Sequence, residues 1–183
     1  MLRRGLLALA LLLVLLAGGE VAVARSALDL SASGPVAVSG TEATGVFQIA
    51  DRTIRQVRYD DGGTLRYTFW LTNDGPLPVT VLGLSDDQPE PRLFGLAGLA
   101  RADGGEAHIA AGESEPVTLE LSMGGCETLS ARAGSFVSEV VVHTERPGGL
   151  DDEVTIRLPE EIHTGSPREA FCPESTATSR PPG

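Results

Sequence analysis

From Leu65 to Thr72 the chain alternates strictly, with Leu65, Tyr67, Phe69 and Leu71 on one side and Arg66, Thr68, Trp70 and Thr72 on the other. Successive side chains of a strand point to opposite faces, so a period of two predicts a strand with one buried face. The pattern recurs from Val117 to Met123, where Val117, Leu119, Leu121 and Met123 oppose Thr118, Glu120 and Ser122. It recurs again from Glu153 to Leu158, with Val154, Ile156 and Leu158 set against Glu153, Thr155 and Arg157. Ser135 to Thr144 sets Phe136, Val140 and Val142 against Val137, Glu139, Val141 and His143, and the apolar content of the second face predicts a central strand.

Shorter pieces fill the gaps. Gly45 to Ala50 offers Phe47 and Ile49 on one face, Val57 and Tyr59 repeat the period, and Val79 to Leu84 resumes it after Pro78. Arg25 to Gly40 alternates weakly through Leu28, Leu30, Val36 and Val38 as a leading edge strand, and Ala107 to Ala110 is a short extended piece. Arg92 to Leu99 fits a short strand or one turn of helix, and periodicity does not arbitrate at that length.

Turn chemistry punctuates these runs. Asp60-Asp61-Gly62-Gly63 supplies the positive φ of a hairpin, Asn73-Asp74-Gly75-Pro76 hands one strand to the next, and Ser85 to Pro91 is a polar loop whose two Pro exclude a central strand. About seven strands and no amphipathic helix after residue 24 predict an all-β fold, an antiparallel β-sandwich spanning residues 45–172. A closed barrel is the alternative, disfavoured by the long connections at 85–91 and 98–106. Residues 25–44 form the N-terminal extension, and the polar tail 173–183, with three Pro, is expected to be disordered.

The first 24 residues set the compartment. Arg3 and Arg4 precede an unbroken apolar run of twelve residues, Leu6 to Ala17, followed by Ala22-Val23-Ala24. This is the pattern of a secretory signal peptide, or an uncleaved anchor through residues 6–24, and cleavage after Ala24 leaves Arg25 first. Cys126 and Cys172, the only two cysteines, are expected to form one disulfide outside the cytosol. Closing that 46-residue separation contributes roughly 4 kcal/mol on the chain-entropy account.

Charge removes one class of partner. Without residues 1–24 the chain keeps 12 basic and 24 acidic side chains, a net charge of −12, so nucleic acid is excluded as a natural partner. All 14 basic residues are Arg, which reads as GC-rich, bacterial coding, since from Arg52 to Arg180 they are scattered singly instead of clustering for anion binding.

The run Gly62-Gly63-Thr64-Leu65-Arg66-Tyr67-Thr68-Phe69-Trp70-Leu71-Thr72-Asn73-Asp74-Gly75-Pro76-Leu77-Pro78-Val79-Thr80-Val81, with Ile109-Ala110-Ala111-Gly112-Glu113-Ser114 further on, resembles the strand-and-turn signatures of immunoglobulin-like modules in secreted bacterial proteins. The resemblance covers about a third of the chain after residue 24. It implies the fold and the compartment, and it carries over no catalytic or binding residue. The antibody-type arrangement is absent, because Cys126 and Cys172 do not bracket a Trp.

The candidates for chemistry point away from an enzyme. His108, His143 and His163 are the only bases of the usual kind, and no Ser occupies a Gly-x-Ser-x-Gly elbow. His143, between Glu139 and Glu145, reads as a partly exposed sheet residue. A copper site drawn from His108, Met123, Cys126, His143 and His163 lacks the ligand spacing, with 17 residues from Cys126 to the next His. Calcium between Asp60-Asp61, Asp86-Asp87 and Asp151-Asp152-Glu153 competes with plain turn propensity and lacks a calcium-loop pattern. Trp70 is expected to pack under a loop, the alternative being an exposed aromatic anchor for a partner or a sugar ring. The chain is thus expected to be an exported, non-enzymatic recognition module of the cell envelope, with no cofactor and an unidentified envelope or extracellular protein as partner. A metal-binding extracellular module, or a hydrolase built on loops, is the rival.

Overall fold

The computed structural model describes residues 26–40, 44–89, 91, 93–124 and 134–164. The signal or anchor segment, Cys126, Cys172 and the tail lie outside the described residues. Within them the chain is all β: β1 (Leu30–Ser39), β2 (Thr44–Ile49), β3 (Arg52–Val57), β4 (Thr64–Asn73), β5 (Val79–Leu84), β6 (Phe94–Arg101), β7 (Ala107–Ile109), β8 (Ser114–Met123), β9 (Ser135–Arg146) and β10 (Leu150–Thr164). The count is ten against the expected seven, partly because Arg92 to Leu99 resolves as strand β6 and because β2 and β3 are separate arms of one hairpin.

The strands form a four-stranded sheet, β1-β4-β8-β6, and a six-stranded sheet, β2-β3-β10-β9-β5-β7. One apolar cluster joins them, with Leu65, Tyr67, Phe69, Leu71, Val117, Leu119 and Leu121 from the first sheet meeting Val57, Val140, Val142, Ile156 and Ile162 from the second. β4 shows why the alternation was readable, since its four odd-numbered apolar side chains from Leu65 to Leu71 are fully buried and its even positions are not. Burial of this kind contributes about 1.5–3 kcal/mol per large apolar side chain.

Pairing departs from the expectation in three places. The six-stranded sheet is mixed, because β10 runs parallel to β3 while the other ladders are antiparallel. The Asp60–Gly63 turn does not close the expected hairpin, and the short Asn73–Pro76 connection does not join neighbouring strands of one sheet. Each carries the chain from one sheet to the other, β3 to β4 and β4 to β5. Gly62, at φ 74°, and Gly63 instead exchange backbone bonds with Met123 at the end of β8, at 2.9 and 2.8 Å. The predicted centrality of β9 holds, since β10 and β5 flank it. Its expected faces do not hold throughout: Val137 and Val140 are both inside, so the alternation slips and Phe136 points outward, 55% exposed. The break lies in β9 between Val137 and Val140, where the register against β10 shifts: Arg157 pairs with Glu139 but Ile162 pairs with Val137, five steps against two.

β10 runs on past Leu158 to Thr164, and its even-numbered positions stay on the core side. That places Glu160 inside, 5% exposed. Its carboxylate accepts two bonds from Arg55 of β3, at 2.6 and 3.1 Å, and one from the Tyr67 hydroxyl at 3.3 Å. Burial, reinforced by the adjacent Glu160 charge, holds the Tyr67 phenol well above its ordinary pKa.

Candidate recognition face

Register places the outer face of the six-stranded sheet. Phe47, Ile54 and Glu161 lie in one row across β2, β3 and β10, and Gly45, Gln56, His163 and Phe136 lie in the next, reaching β9. Paired residues share a face, and this face is opposite the one carrying Ile162 and Val137 into the core. Ile54 is 4% exposed yet stands apart from the inter-sheet core, so this outer face has a small apolar centre of its own.

An ionic strap runs over that centre. Arg52 donates from Nε to Glu161 Oε1 at 2.5 Å and from Nη2 to Oε2, the two-pronged geometry that suits guanidinium and carboxylate. His163 Nε2 lies 3.1 Å from the same Oε2. The Arg52 bonds, aided by His163, hold the Glu161 carboxyl down at about 2. The His163 ring stacks on Phe136, with ring centroids 5.2 Å apart and planes 21° from parallel. Beside this pair opens a groove of about 690 Å³, walled by Pro89, Pro91, Ser135, Glu139 and Thr164.

The free edge of the same sheet is β2. No strand pairs with its outer side among the described residues, and its six residues carry no charge. Val46, Phe47 and Ile49 are each about half exposed, at 50%, 45% and 53%. Edge strands are usually blunted by charge, Pro or cover, and none of these is present here among the described residues. The hairpin to β3 turns through Ala50 and Asp51, with Ala50 in the left-handed region at φ 55°.

The remaining sequence candidates are dispersed. Trp70 does not pack under a loop. It is 41% exposed on the outer face of the four-stranded sheet, opposite Ser33 and Pro116, which corrects the expectation. His108 meets Thr80 at 2.9 Å, and His143 lies 3.8 Å from Asp151. Met123 is buried at the end of β8, and its sulfur accepts from the Asp60 N–H. Asp61 accepts from Tyr59, Asp152 from Arg146, and Glu153 from Ser85, so these carboxylates are engaged in separate local contacts. Among the described residues no group of three His, Cys, Asp or Glu is arranged to hold a metal ion, and no helix is long and apolar enough to cross a membrane. Phe136, Ile54 and the Arg52–Glu161–His163 chain were not singled out as a site by the sequence. The available signal was Phe136 and His163 near opposite ends of two strands now seen to pair.

No family model matches the chain, and no curated protein matches it. Among solved structures it is similar to one assigned provisionally as the ApaA protein of Bordetella pertussis, at 16% identity and a TM-score of 0.34, over 77% of this chain and 96% of that one. At that level the likeness is too loose to fix fold detail or function.

Proposed function

We propose that this chain is an exported, non-enzymatic, immunoglobulin-like β-sandwich that recognises another protein at the bacterial cell envelope, using the β2 edge and the adjoining outer face of its six-stranded sheet. The observation that carries the reading is β2 itself: a neutral strand, half-exposed and apolar on both faces, in a chain of net charge −11. An extended partner segment adds to such an edge through backbone bonds, and Val46, Phe47 and Ile49 supply alternate side-chain contacts. Export is supported by residues 1–24, whose charged start, apolar run and small-residue end make a secretory signal. The immunoglobulin-like reading is supported by the two sheets closing over one core.

The test is photocrosslinking on cells, with the crosslinker placed at Gln48 of the edge strand. Phe47→Lys and Ile49→Lys put charge on the edge and should abolish a specific adduct while leaving the melting temperature unchanged, whereas Trp70→Lys should preserve it. An adduct that survives both edge variants refutes the assignment of this surface.

A further inference from the structure

The outer face of the four-stranded sheet differs in chemistry from that of the six-stranded one. Paired residues share a face, so register across β1, β4 and β8 sets Ser33, Trp70 and Pro116 in one row. Thr68 and Thr118 lie in the row on one side of it, and Thr72 and Ser114 in the row on the other. These positions alternate with the buried Phe69, Leu71, Val117 and Leu119 and so point away from the core. Trp70, the chain's one Trp, is 41% exposed at their centre. Among the described residues at outward positions of this sheet only Arg66 and Glu120 are charged, and they pair with each other at 2.8 Å. The outer face of the other sheet carries Glu139, Glu145, Asp151, Glu153 and Glu161 on β9 and β10 alone. A chain of net charge −11 thus keeps one sheet face electrically neutral.

The hydroxyls on this face come in couples. Thr68 Oγ1 and Thr118 Oγ1 lie 2.9 Å apart, and Thr72 Oγ1 and Ser114 Oγ lie 2.7 Å apart. Two hydroxyls bonded to each other use one proton between them, which leaves each couple one O–H to donate and lone pairs to accept. Their rotamers are already held, so a ligand meets them at little further ordering cost. At about 3.4 Å per residue along a strand, one couple stands about 7 Å to either side of Trp70. We infer that this face binds a neutral, linear β-1,4-linked glycan, with one pyranose ring stacked on the Trp70 indole and neighbouring sugar hydroxyls bonded to the Thr68–Thr118 and Thr72–Ser114 couples.

The match is chemical on both sides. A sugar hydroxyl donates and accepts at once, as each couple does. The C–H-bearing face of a β-linked pyranose is apolar, with partly positive hydrogens that suit the negative face of an indole. A β-1,4-linked chain is a flat ribbon, and the sheet offers it a face whose one ion pair is self-neutralised. A polyanionic glycan is repelled by the net charge of the chain and finds no spare cation, because Glu120 engages Arg66. A second copy of the chain fits less well. A standard protein interface buries about 800 Å² on each side around an apolar core, and Trp70 is the one large apolar side chain at the paired outward positions. The β2 edge belongs to the other sheet, so the two surfaces are free to act independently.

Because Trp70 is the only Trp, fluorescence of the purified protein reports this face alone. The protein is titrated with cellohexaose, with chitohexaose and with polygalacturonate as a polyanion, and calorimetry follows the same mixtures. The expected result is a saturable blue shift with a neutral hexasaccharide and none with polygalacturonate. Trp70→Ala should weaken binding by about ten-fold or more in calorimetry, and the double variant Thr68→Val, Thr118→Val several-fold, with the melting temperature of Trp70→Ala unchanged. No saturable response to either hexasaccharide overturns the proposal, and so does an affinity that Trp70→Ala leaves intact. A preference for polygalacturonate overturns the neutral assignment. Loss of the Gln48 crosslinked adduct in Trp70→Lys gives the face to a protein partner and overturns it too. Phe47→Lys and Ile49→Lys should bind the glycan as the wild type does, so failure of the edge assignment and failure of this one are read separately.

Discussion

Cutting the Arg55–Glu160 pair tests whether β10 is placed correctly past Leu158. The two side chains are 13% and 6% exposed, and the guanidinium contacts the carboxylate at 2.6 and 3.1 Å. At an effective dielectric constant near 20, opposite charges about 4 Å apart attract by about 4 kcal/mol, and that attraction offsets the cost of taking both from water. Arg55→Met removes the offset and leaves the Glu160 carboxylate with the Tyr67 hydroxyl at 3.3 Å. The expected loss is about 3–5 kcal/mol, a large part of the roughly 5–15 kcal/mol by which a domain is stable. Glu160→Met alone orphans the guanidinium at a similar cost, whereas the double variant replaces two buried charges by apolar chains and should fall within about 1 kcal/mol of wild type.

Urea denaturation of the four proteins in one buffer reads this directly, because an unchanged slope with a shifted midpoint reports stability alone. The signature is non-additivity: two costly single changes and a nearly neutral double. Single losses below about 1 kcal/mol that simply add would mean that Glu160 is hydrated, so that the core-side run of β10 from Leu158 to Thr164 is misplaced.

Asn73 is fully buried, donates to the Leu77 and Ile109 carbonyls at 2.8 and 3.1 Å and accepts from the Gly75 N–H at 3.0 Å. Asn73→Ala should therefore cost about 2–4 kcal/mol by thermal melting, and a loss under 1 would show that water replaces the amide. Two backbone changes should act in opposite directions. Gly40→Ala forces a Cβ to within 2.0 Å of the Thr64 carbonyl oxygen at φ 98° and should lower the melting temperature by several degrees, while Ala50→Gly relieves a left-handed residue and should stabilise by about 1 kcal/mol. Acid stability tests the Glu161 strap. With the folded carboxyl at about 2 against an ordinary 4.5, its contribution is complete above pH 4.5 and lost as pH falls towards 2. Glu161→Gln should flatten the stability profile in that window, and an unchanged slope there would count against the Arg52 and His163 contacts.

The strands were legible where one face meets the core and the other meets water, because burial then writes its own period into the sequence. β4 and β8 are of this kind. What was not legible is which sheet a strand joins. The Asp60–Gly63 and Asn73–Pro76 turns have hairpin composition yet cross between sheets, since turn chemistry fixes a local reversal and long-range packing chooses the partner. Glu160 was unreadable for a related reason: Pro159-Glu160-Glu161 breaks the apolar pattern, and the Arg55 that makes Glu160 tolerable inside lies 105 residues away. Phe136 was set on the wrong face because β9 breaks its alternation between Val137 and Val140, where its register against β10 shifts, and the residue types there do not announce the break.

These departures gather at one corner. The register shift, the inward Glu160, the strap on Glu161, the outward Phe136 and the unpartnered Thr164 hydroxyl all belong to the last third of β10 and the strands beside it. A folded chain keeps local pattern and global packing in agreement wherever stability alone is served, so a concentration of breaches marks the place where something besides packing was selected. Elsewhere the two sheets close over a core that follows its sequence period. The β2 edge, two strands across from that corner, breaks the rule in a second way, by leaving apolar side chains uncovered on a free edge. Both breaches leave apolar surface uncovered, Phe136 beside the groove and Val46, Phe47 and Ile49 along the edge, and a contacting polypeptide would bury it, which is what the proposed recognition role requires.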